Sequence, residues 1–391
     1  MIKTYKYRLY PSTRQVAALV IHLSEACRLY NAALQERRDA YRTSGKSINF
    51  YDQDAQLKGI RSDGDLGIAN FSCARDVLQR VDRAFNAFFR RVKACQTPGY
   101  PRFKSFRRYD SISFKSGCRP LPNNKLRVQG IGEIRVKLHR PVDGTIKTVT
   151  IKREADRWFV CFTTEFEAHP LPASSEAIAL DLGASPIFAT LSDATTVANP
   201  RCYRAAEKRL RIAQRKVSRR KKGSNRRRKA VMLLQRVHAH IRNQRADFHH
   251  KVSRSLVNRF GLIAIEDVKP APGLTSGFTA KPIYDAGWGL FIDKLTYKAE
   301  SARRVLVKVD PAGTSQTCLC GAAVPKTVAK RRHECSACGL RAPRDQVSAQ
   351  LILALGLSVV GSTWPSGAGV PAEAPMRGNS HKMMRGPSSG R

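Results

Sequence analysis

The sequence predicts a multidomain protein of the α+β class, and three observations lead to this prediction. Residues 2–10 alternate like a strand, and residues 12–95 repeat apolar positions every three or four residues, as helices do. From about residue 99 to 167 the period falls towards two, which is typical of an antiparallel sheet or small barrel. An apolar hairpin and one further apolar strand follow, with long helical patterns between them.

The elements can be justified in order. Pro11 ends the first strand, and Ser12 is a suitable N-cap for a helix whose apolar stripe begins at Val16. The stretch "CARDVLQRVDRAFNAFFRRVK" repeats the stripe, with Arg and Lys on the opposite face. Residues 168–177, "AHPLPASSEA", are rich in Pro and Ser and predict a linker. The apolar runs "AIALDLGA" and "PIFATLS" predict a buried hairpin, and "GLIAIEDV" predicts a second strand.

The charge of the chain points to a polyanionic partner. Its 391 residues carry a formal net charge of +40, far more than solubility requires. Residues 201–259 hold 21 Lys or Arg against two acids, which predicts a helical hairpin lying against nucleic acid. A solvated helical hairpin in a merely basic protein is the alternative. The contacts predicted near the break at "KGSN" are Arg219, Arg220, Lys221, Lys222, Arg226 and Arg227.

Other sequence features exclude membrane and secreted classes. No apolar segment follows the basic start, so a signal peptide is not expected, and residues 348–361 suit a core helix better than a membrane span. Four of the ten cysteines crowd into residues 318–338, which is typical of a metal site in a reducing compartment. We therefore expect a cytoplasmic protein with a disordered tail beyond Gly361.

Three acidic residues share a setting that suits divalent metal. Asp181 lies inside an apolar strand, where an ionised carboxylate is costly unless a positive group holds it. Glu266 closes the second strand, and Asp345 can occupy the first turn of the helix after Pro343. A structural partner such as Arg would be one solution for a single acid. As a set in a basic chain, the acids favour two magnesium ions, roughly 3.5–4 Å apart, that promote phosphodiester hydrolysis.

The cysteines form two short motifs, "CLCG" and "CSACG". The second has the C-x-x-C-G spacing of a zinc knuckle, whereas the first has Thr317 where the other ligand is expected. A C-x-C turn or His333 would complete a structural zinc site, and a ribbon that folds without metal is the alternative. The expected ligands are Cys318, Cys320, Cys335 and Cys338.

The order of these features resembles the TnpB family, which comprises transposon-encoded, RNA-guided DNA endonucleases related to miniature type V CRISPR effectors. The likeness covers nearly the whole chain. In order, it runs from the strand with Asp181 through the basic helices, the strand with Glu266 and the inserted cysteine motifs to the helix with Asp345. It includes the stretches "YKYRLYPSTRQ", "GYPRFKS", "RRKKGSNRRRKA", "NQRADFHHKVSRSLV" and "DAGWGLFIDKLTYKA".

The resemblance implies a domain order and a site. A wedge β-barrel would be interrupted by a helical recognition domain and followed by a split RuvC-like nuclease domain of the RNase H fold with a zinc-ribbon-like insert that binds target nucleic acid. The implied bounds are 1–11 and 96–170 (wedge), 12–95 (recognition), 175–311 and 340–361 (nuclease), 312–339 (insert) and 362–391 (disordered tail). Asp181, Glu266 and Asp345 would be the catalytic ligands of magnesium. The implied partners of a monomeric, nucleoid-associated protein are a guide RNA and a double-stranded DNA target.

The remaining contacts predicted with nucleic acid come from two groups, for which a solvated surface is the alternative. Arg75, Lys115 and Ser116 align with family positions that read a motif beside the target, and Tyr100, Arg102 and Lys104 lie in a loop that mixes aromatic and basic residues. Trp288 could stack a base, but a packing anchor is the favoured interpretation.

One position departs from the family. The family reads Arg-Asp-x-Asn at the third acid, and this chain has Val347 in place of the Asn, which should weaken ligand orientation more than metal binding. The alternatives to a guided nuclease are a guided DNA-binding repressor with weak or absent cleavage, a miniature type V CRISPR effector, and a general basic RNA-binding protein. A transposase lacks support, because no tyrosine or serine recombinase constellation is evident.

Overall fold

The computed structural model divides the chain into two compact units, Met1–Glu167 and Ala168–Arg391. Their boundary falls at the predicted Pro- and Ser-rich linker. The residues that the structure describes are 1–64, 66–68, 70–268, 277–327 and 330–361. The tail predicted to be disordered lies outside them.

The first unit begins with a strand and continues with helices, as the sequence predicts, and the structure shows three of them. Ser12 and Gln15 form a capping box, in which the Gln15 backbone N–H donates to Ser12 Oγ and the Ser12 N–H donates to Gln15 Oε1. Asn70 caps the third helix by accepting from the Cys73 N–H at 3.0 Å. The elements are β1 (Ile2–Tyr10), α1 (Thr13–Ser44), α2 (Phe50–Ser62) and α3 (Phe71–Lys93).

Six further strands complete an antiparallel sheet in this unit. They are β2 (Ser111–Phe114), β3 (Cys118–Leu121), β4 (Lys125–Val128), β5 (Gly132–Lys137), β6 (Thr145–Glu154) and β7 (Arg157–Glu165). The order is β2-β6-β7-β1-β5-β4-β3, so β1 pairs inside the sheet and the three helices form an insertion between β1 and β2. Tyr5, Tyr7 and Leu9 alternate inward along β1 and join a core that includes residues of α1 and α3.

A five-stranded mixed sheet with the order β10-β9-β8-β11-β12 forms the centre of the second unit. The predicted hairpin is β8 with β9, and the predicted second strand, β11, pairs in parallel with β8 and β12. The sheet strands are β8 (Ala177–Leu182), β9 (Ile187–Leu191), β10 (Thr196–Ala198), β11 (Leu262–Glu266) and β12 (Val305–Val309). The other elements are α4 (Cys202–Ser218), α5 (Asn225–Arg259), α6 (Gly277–Ala286), α7 (Trp288–Ser301), β13 (Arg332–Glu334), β14 (Arg341–Pro343) and α8 (Arg344–Val360).

Helices cover both faces of this sheet, which confirms the predicted mixture of helix and sheet. Leu180 and Ile265 pack on one face in a core shared with α5 and α7. Ala179 and Ala264 pack on the other face against α8. A Cβ added at Gly356 of α8 would lie 2.6 Å from the Cβ of Ala264, so only glycine allows this close approach.

The predicted basic hairpin is formed by α4 and α5, which are joined by residues 219–224. The two-stranded ribbon of β13 and β14 encloses the second cysteine motif and ends directly at α8. The boundary implied at residue 339 therefore falls inside this ribbon. In the described part of the chain, no helix combines the length and the apolar content needed to span a bilayer.

Candidate active site and cysteine cluster

The register of β8 with β11 brings two of the predicted acids to the same end of the sheet. The strands pair in parallel, and the last matched positions are Leu180 and Ile265. Asp181 and Glu266 are the next residues along each strand, so they lie side by side on one face. Because side chains alternate along a strand, that face is the one covered by α8.

Asp345 lies on α8, the helix that covers the face of the sheet carrying Asp181 and Glu266. It occupies the first turn of α8, whose length packs against β8 and β11. Burial raises the pKa of Asp181 to about 7, and the negative charges of Glu266 and Asp345 raise it as well. Asp181 therefore lies close enough to Glu266 and Asp345, both far away in sequence, to interact with them electrostatically.

Two arginines offset part of this negative charge. Arg344 Nη2 lies 2.9 Å from one Asp345 oxygen, and Arg331 Nη1 lies 3.8 Å from the other. Both cations act to lower the pKa of Asp181, against the larger effect of burial. Among the residues with described structure, neither Asp181 nor Glu266 forms an ion pair with Lys or Arg. Ion pairing with arginine thus accounts for Asp345, whereas Asp181 and Glu266 have no ion pair within the described residues.

Glu266 is held by a neighbour that sequence reasoning missed. The buried Thr314 hydroxyl donates to Glu266 Oε1. Burial raises the pKa of Glu266, and this hydrogen bond opposes the effect by stabilising the ionised form. Thr314 lies in an irregular segment after β12, where no periodicity or spacing marks it.

A cavity of about 730 Å³ opens beside the acids. Asp181, Asp345 and both arginines supply its charged lining, and Ile187 and Trp288 are among its apolar residues. The volume lies in the range of ligand-binding sites in proteins.

Trp288 connects α7 to the strand that carries Asp181. Its indole Nε1–H donates to the Gly183 carbonyl at 2.9 Å, two residues after the acid. A Cβ added at Gly183 would lie 2.5 Å from the Ile187 carbonyl oxygen, so the turn after β8 is tightly packed. The half-buried ring also packs on the core beneath the sheet, as expected of a packing anchor.

The other polar residues of these motifs have structural roles. Asp285 is 4% exposed and accepts from the backbone N–H groups of Tyr203 and Arg204, at 2.8 and 3.2 Å, which caps α4 from a distance. His249 is fully buried among aromatic rings with its Nε2 2.8 Å from the Ala286 carbonyl oxygen. Burial lowers the pKa of His249 to about 4, so the ring is neutral near pH 7.

Val347 lies in the buried part of α8, where it is 1% exposed. Ser348 and Ala349 beside it are buried as well. An apolar side chain therefore suits this position, and it is not among the residues that line the cavity.

The four predicted cysteines form one cluster whose ligand atoms all lie within 4.8 Å of one another. Cys318 Sγ is 3.6 Å from Cys338 Sγ, and Cys320 Sγ is 3.7 Å from Cys335 Sγ. Four thiolates at about 2.3 Å from a zinc ion would have their sulfurs about 3.8 Å apart, so the arrangement fits a tetrahedral metal. Backbone N–H groups of Cys338 and Ala337 lower the pKa of Cys335 to about 7, which favours a ligating thiolate.

The two other candidates at this site are directed elsewhere. The Thr317 hydroxyl donates to the Gly313 carbonyl at 3.0 Å, and His333 Nδ1 lies 2.5 Å from Lys326 Nζ. Gly321, with φ +84°, follows Cys320 in the C-x-C turn that brings in Cys318. The cluster therefore uses the C-x-C alternative.

Arg75, Lys115 and Ser116 gather near the start of α3. Arg75 and Lys115 line one cavity of about 260 Å³, and Ser116 lines a neighbouring cavity of about 610 Å³. The backbone N–H groups of Lys115 and Ser116 both donate to Ser72 Oγ, at 3.1 and 3.3 Å. Arg75 is partly engaged already, because its Nε donates to Asp54 at 2.7 Å.

The loop that carries Tyr100, Arg102 and Lys104 is exposed. Tyr100 packs edge-on to Phe88, whereas the Lys104 ammonium lies 4.7 Å from the ring centroid of Tyr30. Lys104 is exposed along with the rest of the loop, so its role as a nucleic-acid contact stays a prediction.

The basic residues predicted at the hairpin lie in or next to the turn between α4 and α5. Arg227 and Arg220 are half-buried, and the rest are exposed: Arg219, Lys221, Lys222 and Arg226.

Three family profiles match this sequence. One described as "Probable transposase" matches residues 150–271, one described as "Cas12f1-like, TNB domain" matches residues 288–352, and one described as "Helix-turn-helix domain" matches residues 1–46. The first profile covers Asp181 and Glu266, and the second covers the cysteine cluster and Asp345.

Similar proteins match along most of the chain. A Streptomyces pristinaespiralis protein named "Putative RNA-guided DNA endonuclease" is 31% identical over 366 residues, which is 91% of this chain and 90% of that protein. An Escherichia coli K12 protein named "Putative RNA-guided DNA endonuclease InsQ" is 28% identical over 382 residues, which is 92% of this chain and 93% of that protein. A solved Cas12f1–sgRNA–target DNA complex shares 13% identity with a TM-score of 0.35, covering 91% of this chain and 99% of that chain.

Proposed function

Because this chain belongs to the TnpB family of RNA-guided DNA endonucleases, we propose that it cleaves DNA at sites selected by base pairing with a bound guide RNA. The convergence of Asp181, Glu266 and Asp345 beside an open cavity carries this proposal. Three carboxylates are costly to hold together without divalent cations, and among the described residues Asp345 is the one of the three that forms ion pairs with arginine.

The three acids would hold two magnesium ions, for which hard carboxylate oxygens are suitable ligands. When bound, such ions polarise the phosphodiester, activate the attacking water and stabilise the leaving 3′-oxygen. The Thr314 hydroxyl orients the Glu266 carboxylate, and the Trp288 indole fixes the turn next to Asp181. These contacts would keep the ligand oxygens aimed at one point.

The arginines at the cavity would act on the substrate. Arg331 and Arg344 now face Asp345, and cations bound by Asp345 would weaken that attraction. Their guanidinium groups could then bind phosphate oxygens of the DNA backbone in the same cavity.

We propose that the cysteine cluster binds one structural zinc ion. The donor set is four thiols, and their spacing suits a closed tetrahedral site with no open position for substrate. The ribbon of β13 and β14 leads directly into Asp345, so the zinc would also stabilise the segment that presents the third acid.

The remaining assignments follow the family. The sheet of the first unit would be the wedge and its inserted helices the recognition domain, with the mixed sheet of the second unit as the RuvC-like nuclease domain. Arg75, Lys115 and Ser116 would contact the motif beside the target, and the tip of the α4–α5 hairpin would contact backbone phosphates. The protein would work as a monomer with its RNA, on chromosomal DNA in a prokaryotic cytoplasm.

A guided repressor without cleavage is the second candidate, and Val347 is the observation that favours it. Family members kept only for binding typically lack one or more of the acids, whereas this chain has all three. The buried position of Val347 also places the substitution in packing and not in the cavity lining.

The test is cleavage of a plasmid library with a randomised flank by protein co-purified with its RNA. We expect magnesium-dependent double-strand breaks beside one short motif, and their loss in Asp181→Ala. The exposed acid Asp247 provides a matched control, because Asp247→Ala removes a charge on α5 without touching the cavity. Guide-matched binding without breaks would favour the repressor, and protein without any discrete RNA would contradict the guided function.

A further inference from the structure

A cluster of aromatic rings lies at the surface of α3 and the loop after it. We call Phe85, Phe88, Phe89 and Tyr100 the aromatic patch. The ring centroid of Phe88 lies 5.2 Å from that of Phe89 and 5.4 Å from that of Tyr100, both edge to face. Phe89 is 53% exposed and Tyr100 is 47% exposed, while Phe85 reaches the core. Contiguous exposed rings of this kind mark interaction sites in proteins.

The charge around the aromatic patch narrows the choice of partner. Residues 83–109 contain eight Lys or Arg and no Asp or Glu. Arg90 and Arg91 follow directly after Phe89, and the Arg91 guanidinium lies 3.4 Å from where a Cβ on Gly99 would stand, next to Tyr100. An apolar protein partner would leave these cations unpaired, whereas a nucleic acid offers phosphates to the cations and bases to the rings.

The loop that presents Tyr100 is anchored on α1. The Lys104 N–H donates to Asn31 Oδ1 at 2.8 Å, and Asn31 Nδ2 donates to the Lys104 carbonyl at 2.9 Å. Cys27 Sγ also donates to that carbonyl at 3.2 Å. Pro98 and Pro101 restrict the backbone around the tyrosine. The rings are therefore positioned in advance, which lowers the entropy lost on binding.

We propose that the aromatic patch stacks an unpaired nucleobase of the guide RNA, while Arg90 and Arg91 bind the adjoining phosphates. The inference rests on the proposed function, which supplies the RNA. Bases inside a duplex have no free face to offer a ring, whereas folded RNA presents unpaired bases in its loops and bulges. Phe89 is the most exposed ring of the patch, and it is the surface on which the base lies.

The test measures binding by the full chain of the RNA that co-purifies with it, transcribed separately, and of a short single-stranded RNA of mixed sequence. Phe89→Leu keeps the apolar volume and removes the ring, so we expect binding of both probes to weaken about tenfold. Phe89→Tyr keeps a ring and should bind like the wild type. Tyr41 is a ring on α1 that is 69% exposed and lies outside the aromatic patch, so Tyr41→Ala is the control. Its affinity for both RNA probes should equal that of the wild type.

Salt dependence separates stacking from phosphate contact. Arg90→Gln should reduce the slope of log affinity against log salt by about one, whereas Phe89→Leu should leave the slope unchanged. Fully paired RNA should bind equally to the wild type and to Phe89→Leu. A lower affinity of Phe89→Leu for fully paired RNA as well would contradict the role assigned to an unpaired base.

Guide-directed DNA cleavage is measured on the same proteins, so that a failure of the inference about the aromatic patch can be distinguished from a failure of the proposed function. If Phe89→Leu binds the guide RNA like the wild type, and the wild type cleaves guide-matched DNA, the patch has another role and the nuclease function stands. If the wild type neither holds RNA nor cleaves, the function itself fails. Sedimentation gives the third outcome: a wild-type dimer that Phe89→Leu dissociates at unchanged RNA affinity would make the patch a self-association surface and overturn the inference.

Discussion

Removing the charge of Asp181 should make the metal-free protein more stable while it abolishes cleavage. Burial and the neighbouring acids raise the pKa of Asp181 from 3.8 to about 7. A shift of about three pKa units corresponds to at most about 4 kcal/mol of unfolding free energy lost above pH 7. Because the side chain is only partly buried and its surroundings can relax, we expect Asp181→Asn to recover about 2 kcal/mol at pH 8.

The sign follows from the direction of the shift. The folded state binds this proton more tightly than the unfolded state, so the stabilisation is complete below pH 3.8 and is lost as the pH rises through about 7. The stability gap between Asp181→Asn and the wild type should therefore widen from pH 5 to pH 8. Magnesium should narrow it, because the cation binds more tightly to, and so stabilises more, the chain that retains all three carboxylates.

The assay is thermal and urea unfolding of the full chain in EDTA and then in magnesium, with Asp247→Asn as the matched control. Asp247 has a 62% exposed side chain, and its neutralisation should leave stability unchanged. If Asp181→Asn is no more stable than the wild type at pH 8 without metal, a positive group already holds Asp181. The reasoning that assigns that role to magnesium would then be refuted.

Three further predictions concern residues around the site. Trp288→Phe removes the hydrogen bond to the Gly183 carbonyl and keeps an aromatic ring in place. The magnesium concentration needed for half-maximal cleavage should therefore rise several-fold, whereas RNA binding, measured as the control, should stay unchanged. Thr314→Val should likewise reduce cleavage at low magnesium about tenfold and recover at high magnesium; a loss that magnesium cannot reverse would mean that the hydroxyl acts otherwise. Cys318→Ala should release the zinc measured by atomic emission and lower the melting temperature, whereas the exposed Cys95→Ala should do neither; zinc retained at wild-type content would contradict the four-cysteine site.

The local elements could be predicted from the sequence because periodicity is a local signal. The hairpin of β8 and β9 and the apolar strand β11 follow from short runs of buried residues. The parallel register of β8 with β11 cannot be predicted from the sequence, because it depends on how α5 and α7 pack on one face of the sheet. Each acid could be identified from the sequence as a candidate metal ligand. That Asp181 and Glu266 are neighbours follows only from the strand register.

The cysteine motif shows a different limit. Its second half has a spacing that predicts a knuckle directly, whereas the first half has Thr317 at the expected ligand position and left Cys318 and His333 as open alternatives. Backbone turns and side-chain hydrogen bonds decide between them, and neither is visible in spacing. Thr314 and Arg331 belong to irregular segments, so only the folded chain identifies them as neighbours of the acids.

The tip of the α4–α5 hairpin has a consequence for engineering. Gly223 lies there, and apart from its chain neighbours no described atom comes within 4 Å of where a Cβ would stand, so a cut at this turn should disturb no packing, although it would also test the phosphate contacts proposed for the tip. Cutting the chain at this tip would put Asp181 on one polypeptide, and Glu266 and Asp345 on the other. Neither fragment alone would hold a complete set of acids, and β8 would meet β11 only when the fragments associate. If the proposed cleavage activity holds, the chain should divide into two inert halves whose combined activity reports, or is switched by, the proximity of the proteins fused to them.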